Sequence, residues 1–166
     1  MVMIEKAGGD HPSLARLEPS DGELLRRLFY RLSPESLYRR FMSPVAAPEQ
    51  VRPERLLDVG QRDREAIIAV VEGEIVGVAR YARRPPSDIA DVAVVVADAW
   101  QRQGIATRLL RALAEHARGV GIRKFALTMQ ADNRGALALL RRLAPGTRPV
   151  LAQGVYEAAV EVEAAS

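Results

Sequence analysis

The sequence predicts a mixed α/β (α+β) fold, one sheet carrying helices on its faces. Three observations carry that prediction. Residues 89–129 read strand, helix, strand. The valine-rich run DVAVVVAD is followed by Ile105, Leu109, Leu110, Leu113 and Ala117 at helical spacing, then by the β-rich run GIRKFALTMQ. A crossover of that kind between strands of one sheet is right-handed and makes them parallel. On either side lie short glycine-containing links, at Glu72-Gly73 and around Gly154, each reading as an antiparallel hairpin.

The elements follow in order. Residues 1–12, with Gly8, Gly9 and Pro12, read as a flexible tail, and SLARLEP (13–19) alternates as a first strand. Ser20 to Glu23 matches a capping box, ahead of a helix with Leu24, Leu25, Leu28, Phe29 and Leu32 on one face. Ser33-Pro34 suits an N-cap and first helical position, opening a short helix, PESLYRRF. The link SPVAAP leads to PEQVRPERLLDV, broken or restarted at Pro53. REAIIAVVE and EIVGVARYARR form the first hairpin, and TRPVLAQ and VYEAAVEVE the second. Between them come the crossover and a further helix, DNRGALALLRRL.

Composition narrows the function classes. The 166 residues, 48% hydrophobic and 27% charged, suit a single globular domain. The absence of cysteine excludes disulfides, thiolate metal sites and a cysteine nucleophile. No apolar run is long enough to span a bilayer, and MVMIEKAGGDHPS lacks the order of a signal peptide. The expected location is the cytoplasm, with no membrane partner. The net charge of +3 is arginine-borne, and acidic residues interleave with basic ones in ERLL and RDRE, so no nucleic-acid-binding stripe stands out. His11 and His116 are isolated, no metal cluster is visible, and helical spacing puts His116 on the polar side of its helix.

One junction suggests ligand chemistry. QRQGIATRLL (101–110) lies where the valine-rich strand gives way to the long helix. Free amides and the helix dipole favour phosphate there. Gly104 allows close backbone approach, Ala106 is nearly as slim, and Arg102 and Arg108 add charge. Neither GxxxxGK[ST] nor GxGxxG is present.

Gln101-Arg102-Gln103-Gly104-Ile105-Ala106 resembles the Q/RxxGxG/A signature of the GNAT superfamily of N-acetyltransferases. Asp132-Asn133, opening the next helix, is similar to another feature of that family. The resemblance spans residues 13–163 in matching element order. SPESLYRRF and REAIIAVVEGEIVGVARYARR further resemble the acetyltransferase domain of bacterial Pat-type protein lysine acetyltransferases. The resemblance implies one GNAT domain over 13–166. It also implies a mostly antiparallel sheet of six to seven strands, with a parallel pair between the family's fourth and fifth strands.

It implies acetyl-CoA as co-substrate and no metal. The pyrophosphate would lie on the amides of residues 101–107, from Gln101 through Ile105 and Ala106 to Thr107. The pantetheine arm would pair with the strand around Val94, Val95 and Val96, and Asn133 would meet that arm. The acyl group would enter a gap between the fourth and fifth strands. A backbone N–H at Val94 or Val95 would serve the thioester oxygen, with Val95 taken as the catalytic donor. Asp91 is the candidate base. It shares a face with Ala93 and Val95, opposite Val92, Val94 and Val96. The bland alternative is a strand-end acid like Asp88. The Pat pattern AEVAVVV here reads ADVAVVV, one methylene shorter. Where many GNAT enzymes carry a tyrosine as general acid, this chain has Leu140. Tyr38, Tyr81 and Tyr156 read as packing residues, as do Tyr38 and Phe41 together on the short second helix. Ser36, Arg39 and Arg40 are candidates to face the acceptor. The expected acceptor is a protein lysine. A small amine, and a non-catalytic acyl-CoA-binding module, stay open as alternatives.

Overall fold

The computed structural model describes residues 1–6, 11–36 and 53–165; Tyr38, Arg39, Arg40, Phe41 and the SPVAAP link lie outside them. Among the described residues eight strands form one sheet. They are β1 (Val2–Glu5), β2 (Ser13–Arg16), β3 (Arg64–Val71), β4 (Glu74–Arg83), β5 (Ile89–Val96), β6 (Lys124–Gln130), β7 (Val150–Ala152) and β8 (Val155–Glu161). Their order is β1-β2-β3-β4-β5-β6-β8-β7. The β5–β6 pair is parallel, and the other pairs are antiparallel. Both hairpins turn through two residues of positive φ, Glu72-Gly73 (51°, 79°) and Gln153-Gly154 (53°, 77°). That is the type I′ geometry matching strand twist.

The additional strand, β1, comes from the segment expected to be a tail. Its four residues are all exposed, so no buried face leaves an alternation to read. Pairing with β2 holds it, and the Met1 ammonium donates to Glu18 Oε2 (2.6 Å) and Asp21 Oδ1 (3.2 Å). The capping box also moves. A 3₁₀ turn, Pro19–Asp21, precedes α1 (Gly22–Tyr30), and the Glu18 N–H donates to the Asp21 carboxylate at 2.8 Å. Glu23 is engaged by Arg26 instead.

The sheet separates two apolar layers. On one side pack α2 (Ile105–Gly119), α3 (Arg134–Leu143) and α4 (Val162–Ala165). They bury Leu109, Leu113, Leu140 and Val162 against Phe125 and Val160. On the other, α1 buries Leu25, Leu28 and Phe29 against Ala66, Ile68 and Val78. Val96 joins the first layer and Val95 the second, as the period of two in β5 predicts.

His116 is not a surface histidine. Its Nδ1 lies 3.1 Å from the Tyr81 hydroxyl and its Nε2 3.6 Å from Glu65 Oε2. Glu65 is fully buried and also accepts from Arg16 at 2.5 and 3.1 Å. Burial pushes the Tyr81 hydroxyl up to about 12 and holds the imidazole of His116 below its ordinary value, with the Glu65 charge opposing.

Candidate active site

Strand β5 borders a gap on one edge only. Ala97 donates to Val76 O on the β4 side (2.8 Å), and Asp88 O accepts from Arg123 N on the β6 side (2.8 Å). Backbone groups of successive strand residues point to opposite edges. Asp91, Ala93 and Val95 therefore bond towards β4, while Val92, Val94 and Val96 turn towards β6. The parallel ladder has only three rungs, Ile89↔Lys124, Ala90↔Phe125 and Asp91↔Ala126. Beyond Asp91 the strands part, and Val92 and Val94 turn an N–H and a C=O into the opening. The ladder thus separates the alternatives for an oxyanion donor. The Val95 N–H belongs to the β4 ladder, and the Val94 N–H faces the gap.

At the far end of β5 the chain makes a short 3₁₀ turn, Asp98–Trp100, and enters the signature loop. Gly104 caps α2 in the left-handed region, φ 79°, where a side chain is disfavoured. Arg102 also has positive φ, 63°, and is exposed. The first-turn amides of Gly104 to Thr107 have no acceptor within their own helix. The Gln101 amide is taken, donating to Asp98 O at 3.4 Å. Gln101 and Gln103 brace the loop through their side chains. Gln101 Nε2 donates to Val96 O (3.0 Å) and Ser36 Oγ (3.3 Å), and Gln103 Nε2 to Ala99 O (3.3 Å). Ile105 and Thr107 are buried and anchor the helix start. Arg108, expected to add charge here, is drawn elsewhere, donating to Glu5 Oε1 (2.6 Å) and Pro12 O (2.8 Å).

A cavity of about 120 Å³ continues from the gap along the α3 side, lined by Val92, Val94, Leu127, Met129, Asn133 and Leu140 among others. Asn133 caps α3, its Oδ1 accepting from Ala136 N at 3.0 Å, which leaves its amide hydrogens as donors beside the cavity. Leu140 is buried and makes that wall apolar where a hydroxyl was the family expectation. The β6 residues Leu127, Thr128 and Met129 line the opposite wall. Sequence reasoning did not single them out, although they follow the last rung of the ladder. Asp91 stands at the last rung, on the opposite face of β5 from Val92 and Val94, and it is exposed.

A left-handed glycine at a helix start, a splayed strand pair and an apolar channel between them fit an elongated ligand with an anionic end and a slim arm. The family model that matches residues 28–144 is "Acetyltransferase (GNAT) family". The chain belongs to the GNAT acetyltransferase family. As a GNAT protein it is an acetyl-CoA-dependent N-acetyltransferase. It is 31% identical over 130 residues to the acetyltransferase PA5475 of Pseudomonas aeruginosa, covering 76% of this chain and 70% of that one. It is 31% identical over 145 residues to the acetyltransferase Pat of Mycolicibacterium smegmatis, covering 86% of this chain but only 43% of that relative. The GNAT domain of S. lividans PAT superposes with a TM-score of 0.81 at 26% identity, covering 96% of each chain. This GNAT chain therefore shares its architecture with the GNAT domain of that protein. Among the described residues no helix is long and apolar enough to cross a membrane.

Proposed function

We propose that this GNAT chain acetylates the side-chain amine of a protein lysine by direct attack on acetyl-CoA in a ternary complex. The observation that carries the proposal is the end of the β5–β6 ladder at Asp91. It sets a carboxylate beside an opening into which the Val94 N–H points. When bound, acetyl-CoA supplies an activated thioester. Gly104 to Thr107 would hold its pyrophosphate, Val94 its arm and carbonyl oxygen, and the Asn133 amide its pantetheine. Lysine has a pKa of about 10.4 and arrives as ammonium. Asp91 accepts that proton, directly or through one water. The chain has no cysteine, which favours direct transfer over a cysteine acyl-enzyme.

A thiol-release assay with acetyl-CoA and lysine peptides tests this, with release above background expected. A second reading is favoured by Leu140 in the wall and by the exposure of Asp91: an acyl-CoA-binding module without turnover. CoA binding with no release from any peptide or amine would select it.

A further inference from the structure

Arg80 belongs to β4, opposite Ala66 of β3 and Ala93 of β5. Paired ladder residues share a face, so Arg80 rises from the same face as Asp91, which stands opposite Ala82. The two are diagonal neighbours, a relation that separates the residues by about 7–8 Å and brings their Cβ atoms somewhat closer. On that face Ala66, Ala82, Ala93 and Ala126 stand beside the pair, while Ile68, Val78 and Val95 lie towards the α1 layer. Asp91 is exposed and Arg80 half-buried.

The guanidinium is poorly matched to its surroundings. Among the described residues its Nε is buried without a hydrogen-bond partner and Arg80 makes no ion pair. Among the described residues the charges it senses are Arg64 and Asp58. Asp58 is already committed, to the Arg64 side chain and to Gln61 Nε2 at 2.8 Å. Two guanidinium groups thus share one carboxylate. Burial and the Arg64 charge both hold the Arg80 guanidinium below its ordinary value. Each of these conditions improves when an anion arrives.

We infer that Arg80 selects the acceptor, receiving a carboxylate that the acceptor carries close to its reactive amine. This rests on the protein-lysine reading above and names its sequence context. In an extended peptide, side chains two residues apart lie on one face about 6.6 Å apart. That matches the diagonal from Asp91 to Arg80, so the acidic residue stands two positions from the target lysine. The amine meets Asp91 while the carboxylate meets Arg80, and Arg80 takes no part in proton transfer.

The test uses matched peptides, Lys-x-Glu and Lys-x-Gln, with Lys-x-Lys as a third. Steady-state turnover is measured with acetyl-CoA, and affinity by fluorescence anisotropy with CoA present. The wild-type chain is expected to favour Lys-x-Glu about tenfold in kcat/KM and in affinity, the size of one charge-assisted hydrogen bond. Arg80→Met brings both ratios to about one, Arg80→Lys keeps part of the preference, and Arg80→Glu turns it towards Lys-x-Lys. Circular dichroism melts confirm that each variant is folded. Acetylation of both peptides without preference, or a preference surviving in Arg80→Met, overturns the inference and leaves the lysine reading in place. Preferential binding without acetylation does the reverse, and absence of both binding and turnover sinks the two together.

Discussion

The proposed reactive centre rests on two groups of β5, the Asp91 carboxylate and the Val94 N–H. Asp91→Ala is expected to lower kcat by about 10²–10⁴-fold while CoA affinity stays within about twofold, because the carboxylate lies on the face away from the channel. Wild-type turnover in that variant would remove Asp91 as base. Gly104→Ala meets nothing within 4 Å of the added Cβ. Its cost is therefore conformational, about 1–2 kcal/mol for a residue held at positive φ, and it appears as a lower Tm together with a higher Kd for CoA. Gly104 was legible in the sequence because the demand on it is local, a left-handed residue before a helix. Arg108 and His116 were not. The first answers to Glu5 and Pro12, 103 and 96 positions away, and the second to Tyr81 and Glu65. Arg80 gave no signal either, since in GVARYARR it reads as one more polar strand residue.

Among the elements, α3 joins a packing role to a proposed binding role. Asn133 caps the helix through Oδ1 and presents its amide hydrogens to the channel, so the two roles can be separated. Asn133→Ala removes both, costing about 1 kcal/mol as a lost cap and weakening CoA binding. Asn133→Asp keeps an acceptor for the Ala136 amide but loses the donors, so its Tm is retained while CoA affinity falls. Melting curves and CoA titrations on the pair check this, and equal affinity for CoA in Asn133→Asp and wild type would dissociate Asn133 from the arm. The regular elements were readable where two constraints agreed. In β5 a period of two coincides with layers on both faces, and in both hairpins the turn sequence matches the strand twist. β1 had neither: its four residues are all exposed, and pairing with β2 decides its conformation.

At the scale of the molecule, the sheet is clamped to α2 by a polar bridge as well as by apolar packing. His116 reaches from α2 to Tyr81 on β4 and Glu65 on β3, with Arg16 of β2 on the same carboxylate. The folded imidazole titrates below its ordinary value. Above a pH of about 6.5 it is neutral in both folded and unfolded chains and adds no pH dependence. Below that pH the unfolded chain takes up the proton first, so stability declines as pH falls until the folded pKa is passed. Tm is expected to drop on acidification through that window, and His116→Gln to flatten the drop. An unchanged slope would show that other groups govern it. The chain also carries a built-in optical reporter. Its single tryptophan, Trp100, packs against both apolar layers and directly precedes Gln101. Any reshaping of the signature loop on CoA binding alters the polarity around that indole, so unlabelled protein should report occupancy through the wavelength of its own emission.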